Sequence, residues 1–216
     1  MARDATVTRE RLLRAGERLF AERGIDGVTV REINQLAGQR NSSALHYHFG
    51  SREGLLNEIR ARHRDPIEVR RIAMLDALER EQRTDDLRAL VESIVYPFAT
   101  ELATESGRDY LRILPQVTGR LRVPVGTLPS TFGPHGIRRT LRYAHRCLPE
   151  LDRVLREERL AVATEFATNM IARRAQEIDT GVAFRFPEEQ FLTNLVDMTV
   201  GSLIAPVNTS PRPSPR

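Results

Sequence analysis

Thr29-Val30-Arg31-Glu32-Ile33-Asn34-Gln35-Leu36-Ala37-Gly38, then Gln39-Arg40-Asn41, then Ser42-Ser43-Ala44-Leu45-His46-Tyr47-His48-Phe49-Gly50 reads as two short helices joined by a tight polar turn. The first opens on a capping box, in which the Thr29 hydroxyl and the Glu32 carboxylate satisfy each other's backbone N–H groups. Ile33, Leu36 and Ala37 form its inner face, and Gly38 ends it. In the second, with Asn41 as the expected N-cap, only Leu45 and Phe49 are spaced as core residues. Ser42, Ser43, Ala44, His46, Tyr47 and His48 are left pointing elsewhere, an odd surface for a merely structural helix. Two helices so joined have the geometry that seats the second in a DNA major groove, about 12 Å wide. Ser42, Ser43 and Ala44 are small enough to bring the backbone close to base edges, while His46, Tyr47, His48 and Arg52 can donate to phosphates. Thr29 and Arg31 are placed to hold a phosphate at the start of the preceding helix, where the helix N-terminus favours an anion. Arg40 is expected to reach DNA, at a base or at a phosphate. The alternative is that Tyr47 and His48 are half-buried core residues beside Phe49.

Outward from this stretch the pattern stays helical. A helix is expected after Thr8 as N-cap, with Leu12, Leu13, Gly16, Leu19 and Phe20 on one face, ending at Arg23-Gly24 with Gly24 left-handed. Another opens at Ser51, runs through Leu55, Leu56 and Ile59, and ends or bends near Pro66. Further helices are predicted over about 66–82, 85–104 with a kink at Pro97, 106–120, 134–147, 149–179 and 187–205. No run alternates with period two, so no strands are predicted. Arg122 to Gly136, with three prolines and three glycines, reads as a loop. The tail over 206–216, ending NTSPRPSPR, reads as disordered.

The charge is distributed unevenly. Residues 1–64 hold 12 Arg against 8 Asp and Glu, and residues 65–216 hold 21 against 21, so the whole net charge of +4 lies in the first third. A segment that docks on a polyanion favours such a bias. All the basic side chains are arginine, whose planar fork suits phosphate. No run approaches the roughly 18 to 20 apolar residues that span a bilayer, and the N-terminus lacks the apolar run of a signal peptide, so a cytoplasmic location and no membrane partner are expected. Cys147 stands alone, which leaves no internal disulfide and reads as a small packed thiol. His46 and His48, two apart, fall on opposed sides of a helix and are not expected to share a metal; His135 and His145 have no ligand at metal spacing. Without a phosphate-binding glycine loop, a nucleophile elbow or a paired-carboxylate motif, neither an enzyme nor a cofactor is expected. The rival class is a helical enzyme or carrier whose site assembles only in space.

The run Leu12-Leu13 to Leu19-Phe20, then Gly24, Gly27-Val28-Thr29-Val30, Ile33, Ala37-Gly38 and Leu45-His46-Tyr47-His48-Phe49-Gly50-Ser51 resembles the N-terminal signature of the TetR family of transcriptional regulators. The likeness covers residues 8 to about 62. It departs from the commonest pattern in the turn Gln39-Arg40-Asn41, which is one residue longer. The resemblance implies an all-α homodimer, with a three-helix helix-turn-helix domain over 1–64 and a helical effector-binding and dimerisation domain over 65–205. It further implies palindromic double-stranded operator DNA as partner and an unidentified small-molecule effector that releases it, with repression more usual than activation. Candidate pocket residues are Tyr96, Phe98, Tyr110, Leu114, Phe132, Tyr143 and Phe166, although aromatics at helical spacing are more often plain core. For the dimer interface the candidates are Leu155, Val162, Phe166 and Met170 on one stripe. A second stripe holds Leu192, Leu195, Val196, Thr199 and Leu203, with Gly201, Ser202 and Ala205 small enough for close approach. A single chain could instead bury one such stripe against its own core.

Overall fold

The computed structural model describes residues 2–39, 41, 43–118, 135–182 and 186–207. These form α1 (Ala2–Arg23), α2 (Val30–Leu36), α3 (Ala44–Phe49), α4 (Arg52–Arg80), α5 (Leu87–Ala99), a 3-10 turn (Thr100–Ala103), α6 (Glu105–Thr118), α7 (His135–Arg146), α8 (Arg153–Asp179) and α9 (Glu188–Ile204), with no strand among the described residues. No described helix is long and apolar enough to cross a membrane. Of the expected tail and of the Arg122–Gly136 loop, residues 208–216 and 122–134 lie outside the described residues, while His135 and Gly136 already belong to α7.

Two apolar cores organise the chain. The first gathers Leu12, Leu13, Leu19 and Phe20 of α1, Ile33 of α2, Leu45 of α3 and Leu55, Leu56, Ile59 and Ile67 of α4, closed by Tyr110, Ile113 and Val117 of α6. Gly16 allows α1 and α4 to meet, because a Cβ there would stand 2.7 Å from Cδ2 of Leu55. Gly24 and Gly38, at φ +80° and +68°, end α1 and α2 in the left-handed region that glycine enters at no steric cost. The second core joins the C-terminal half of α4 to α5, α7, α8 and α9 through residues such as Leu75, Leu90, Val95, Leu141, Leu160, Ile171, Leu195 and Val196. Side chains of α6 also grip the end of α1. Gln116 Oε1 accepts from the Ile25 N–H at 2.9 Å, its Nε2 donates to the Phe20 carbonyl at 3.3 Å, and Arg112 Nη2 donates to the Ala21 carbonyl at 3.2 Å.

Several local expectations are corrected. Thr8 is not an N-cap, since α1 is already helical from Ala2. Pro66 does not end α4, which runs as one helix of 29 residues with the proline inside it. A proline there removes one i→i−4 hydrogen bond. Burial of Ile59, His63 and Ile67 on the flanking turns, between α1 and α6, holds the helix together regardless. The 85–104 segment divides into α5 and the 3-10 turn, and Pro97 sits inside α5. The long penultimate helix starts at Arg153, where Asp152 accepts from the Leu155 N–H at 3.0 Å, so it spans roughly 40 Å at 1.5 Å per residue.

Candidate nucleic-acid interface

The α2 start is built as its sequence dictates. Thr29 Oγ1 accepts from the Glu32 N–H at 3.3 Å, while Glu32 Oε2 accepts from the Thr29 N–H at 2.8 Å and from its hydroxyl at 2.7 Å. These bonds from Thr29, helped by Arg23 at 2.9 Å, hold the Glu32 carboxyl below its ordinary range. The capping carboxylate thus occupies the Thr29 hydroxyl, while Arg31 is exposed beside it. From the inner face of α2 the buried Asn34 accepts, through Oδ1, the Leu45 N–H at 3.3 Å. One of the four donors that a helix start leaves without an internal partner is thereby tied to α2, which fixes α3 relative to it.

Asn41 does not cap α3. Its Oδ1 accepts from the Ser43 N–H at 2.9 Å and from the Ser43 hydroxyl at 2.7 Å, a side-chain turn one step before the helix, and Ser43 becomes the N-cap residue without a side-chain capping bond. The longer connection therefore shortens α3 to six residues instead of lengthening its start. Ser43, His46 and Tyr47 are exposed, Tyr47 at 82%, and Ala44 and His48 are half-buried. Tyr47 meets the His48 ring edge-on at 5.0 Å and 84°. Phe49, half-buried, lies beneath the Arg9 guanidinium at 5.2 Å, which separates it from the exposed row. His46 Nδ1 donates to the Gly50 carbonyl at 3.0 Å, so its Nε2 is an acceptor in the neutral ring and donates to a phosphate only in the protonated one. Arg40 and Ser42, both expected at the DNA, lie outside the described residues.

Arg52 is a correction. Expected to project toward a phosphate, it turns inward: Nη1 donates to the carbonyls of Ile25 and, at 3.2 Å, Val28. The turn between α1 and α2 has carbonyls that no helix satisfies, and a guanidinium one step inside α4 is long enough to reach them.

The candidate pocket residues divide between the two cores. Tyr110 is buried and stacks on His63 with ring centroids 4.6 Å apart, and Leu114 packs with it on the first core; both belong to the seam between α6 and the N-terminal helices. Tyr96, Tyr143 and Phe166 lie half-buried against the second core, and Phe98 touches both. The Tyr143 hydroxyl donates to Glu79. Phe132 lies outside the described residues.

The proposed dimer stripe on α9 is also corrected, because Leu192, Leu195, Val196, Thr199 and Leu203 are all buried in the protomer's own second core. Leu155, Phe166 and Met170 pack against the same core from α8, and of the residues expected at the interface Val162, at 52% exposure, faces solvent, as do Gly201 and Ser202. Periodicity shows that a helix has an apolar face, not which partner covers it.

Sequence reasoning missed two buried polar clusters. In one, Arg71, 2% exposed, donates to Glu68 and from Nε to the Ser93 carbonyl at 3.0 Å, and Glu68 also accepts from the Gly136 N–H at 2.7 Å. Burial pulls the Arg71 guanidinium down to about 10. In the other, His63 lies between Glu17 and Glu101. The only sequence signal for either was a charged side chain at a helical position whose neighbours at i±4 are apolar, as Glu17 is beside Leu13.

Residues 12–59 match the family described as "Bacterial regulatory proteins, tetR family". Over these residues the chain is similar to the N-terminal segment of TetR-family regulators. Among solved structures, the HlyIIR mutant protein with residues 170-185 substituted by alanine is 17% identical, with 89% of this chain and 96% of that one covered at a TM-score of 0.45. A TetR-family regulator from Streptomyces coelicolor A3 is 18% identical, with 92% and 95% covered at a TM-score of 0.43. No curated protein sequence matches the chain. The matched segment runs from Leu12, the first buried leucine of α1, to the buried Ile59 of α4, so it holds α2 and α3 while the core beneath them is completed by Ile67 and by α6.

Proposed function

We propose that this TetR-family protein is a ligand-responsive transcriptional regulator, a repressor in the first instance, that binds palindromic operator DNA as a homodimer and is released by a small-molecule effector. The observation that carries the reading is α3. Its Ser43, His46 and Tyr47 are exposed along one row while Leu45 is buried and tied to Asn34, which is how a recognition helix presents its side chains from a rigid base. Ser43 and Ala44 are assigned to base edges, His46, Tyr47, His48 and Arg31 to phosphates, and Arg40 to the DNA at a base or a phosphate. Residues 1–64 supply the DNA-binding part, and 65–205 the effector and dimer functions.

For the dimer we assign the outward face of α8 and α9 in place of the buried stripe. Arg159 donates to the carbonyls of Leu203 and Ala205 and Arg174 lies over the Phe191 ring at 5.0 Å, so α9 runs antiparallel to α8 and brings Gly201 near the level of Val162. Val162, Met198 and Ile204 are exposed apolar side chains, and a Cβ on Gly201 would meet nothing within 4 Å, which leaves room for a second helix. Two recognition helices about 34 to 36 Å apart then reach successive major grooves.

An electrophoretic shift with the DNA upstream of the protein's own gene, at two salt concentrations, tests this. A regulator binds that fragment with a steep salt dependence and leaves an unrelated fragment at low affinity; equal, weak binding to both would refute the reading.

A further inference from the structure

At the seam between the two cores, His63 of α4 places both ring nitrogens against carboxylates. Nδ1 stands 2.6 Å from Oε2 of Glu101, on the 3-10 turn, and Nε2 stands 3.1 Å from Oε1 of Glu17, on α1. An ionised carboxylate only accepts hydrogen bonds, and a neutral imidazole has a single N–H. Only the doubly protonated ring makes both contacts at once; the hydroxyl near Nε2, that of Ser106 at 3.3 Å, already donates to Glu17 at 2.7 Å. With a neutral ring, one lone pair would point at an anion inside the protein.

Burial makes that demand strict. Glu17 is 0% exposed and His63 6%, with the ring stacked on Tyr110. The remaining valences of Glu17 are filled by the Ser106 hydroxyl at 2.7 Å and by Arg14. Arg14 in turn faces Asp109 at 3.7 Å and Glu105 at 3.5 Å on α6, while on α4 itself Arg62, paired with Glu10 at 2.7 Å, interacts with Glu17, and Arg60 and Arg64 interact with Tyr110. This set joins α1, which carries the helix-turn-helix, to the 3-10 turn and α6, through the midpoint of α4. Elsewhere the seam is apolar except where Gln116 and Arg112 hold the end of α1.

We propose that His63 is a proton-operated lock: as an imidazolium it fastens the helix-turn-helix to the 3-10 turn and α6, and its deprotonation loosens that seating and weakens operator binding. The inference rests on the DNA-binding reading above. A loosely seated recognition helix must be ordered when it docks, and that ordering subtracts from affinity; in a dimer the loss is counted twice.

The direction of titration agrees. Burial works against the charge, but the hydrogen bonds and fields of Glu101 and Glu17 outweigh it and hold the ring above the ordinary histidine value; Glu17 likewise, against its own burial, is held below the usual carboxylate range by His63, Ser106 and Arg14. A base whose folded value is raised gives stability that is complete below about pH 6.5 and disappears as pH rises through the raised value. Asp109 titrates at the same seam but in a lower window: burial pushes it up to about 6, so its contribution changes between its ordinary value and pH 6 and is over before the lock opens.

The test uses the full-length protein at constant ionic strength between pH 6.5 and 9. Ring NMR of His63, assigned by its loss in His63→Gln, is expected to titrate above free histidine, and amide exchange in α1 and the 3-10 turn is expected to speed up relative to α8 over the same range. Operator affinity is expected to fall about fivefold or more in the wild type, the low end of ordinary coupling between sites. A His46→Gln, His48→Gln double variant is expected to keep this fall. His63→Gln is expected to be weak at every pH and to lose the fall. Equal pH dependence in His63→Gln and wild type, or a ring that titrates at or below free histidine, would overturn the proposal. Should no operator bind at any pH, the DNA-binding reading fails on its own, while the ring titration and exchange still decide whether the lock exists. Should His63→Gln not fold, the wild-type titration, exchange and affinity curves, compared with those of Asp109→Asn, carry the same decision.

Discussion

Replacing Arg52 by methionine separates two roles that the sequence could not distinguish. The substitution keeps an unbranched apolar stem and removes the guanidinium, whose Nη1 donates to the Ile25 and Val28 carbonyls. Both residues are buried, so the freed carbonyls are poorly placed to find water. A hydrogen bond from a charged donor contributes about 1.5 to 3 kcal/mol. With one nitrogen shared between two acceptors and the side chain only part-buried, about 2 kcal/mol is the expected loss. For a chain of this size that lowers Tm by roughly 4 to 8 °C. The assay pairs thermal unfolding with operator affinity measured across a salt series. If Arg52 is scaffold, the plot of log affinity against log salt keeps its slope, although affinity falls somewhat as the turn loosens. If instead Arg52 neutralises a phosphate, the slope loses about 0.9 for each contact removed. A slope that fell by that amount with Tm unchanged would refute the structural role.

The remaining predictions concern the recognition helix and the dimer. Asn34→Ala removes the buried acceptor of the Leu45 N–H and is expected to destabilise by about 1 to 3 kcal/mol, read by denaturant unfolding, with specific and non-specific DNA binding both weakened because α3 loses its anchor. Tyr47→Ala, at an exposed position, is expected to leave Tm within about 2 °C while weakening all DNA sequences alike, measured on operator and scrambled duplexes. Leu195→Ala empties part of the protomer core and is expected to cost about 2 to 5 kcal/mol with dimerisation intact at temperatures where the chain is folded. A Val162→Glu, Met198→Glu double variant is expected to unfold like the wild type yet sediment as a monomer and bind operator far more weakly. A stable dimer from that variant would place the interface elsewhere.

How much of this could be read without coordinates depends on the range of the interaction. The capping box at Thr29 and Glu32, the glycine ends of α1 and α2, the apolar spacing of Leu12, Leu13, Leu19 and Phe20, and the all-helical character are set by residues within one or two turns of each other. The spacing of Leu45 and Phe49 against the polar row also marked α3 as a surface helix. Such local rules failed where a competing local bond existed, as at Asn41, whose side chain closes a turn on Ser43 instead of capping the helix.

Tertiary structure decided everything that depends on which face meets which. It put Leu195 and Leu203 inside the protomer and left Met198 and Ile204 outside, on a helix whose sequence offers both faces. It turned Arg52 inward because a turn 24 to 27 residues away had unsatisfied carbonyls. Above all it brought Glu17, His63, Glu101 and Ser106 together from four elements spread over 90 residues of chain. Each of these reads as an ordinary surface residue alone. A buried charge survives only in the company of its partners, and in a helical chain those partners are set by how the helices cross, which short-range periodicity does not encode. The sequence by itself determined the helices and the DNA-binding stretch; the packing determined which charges are locked between them.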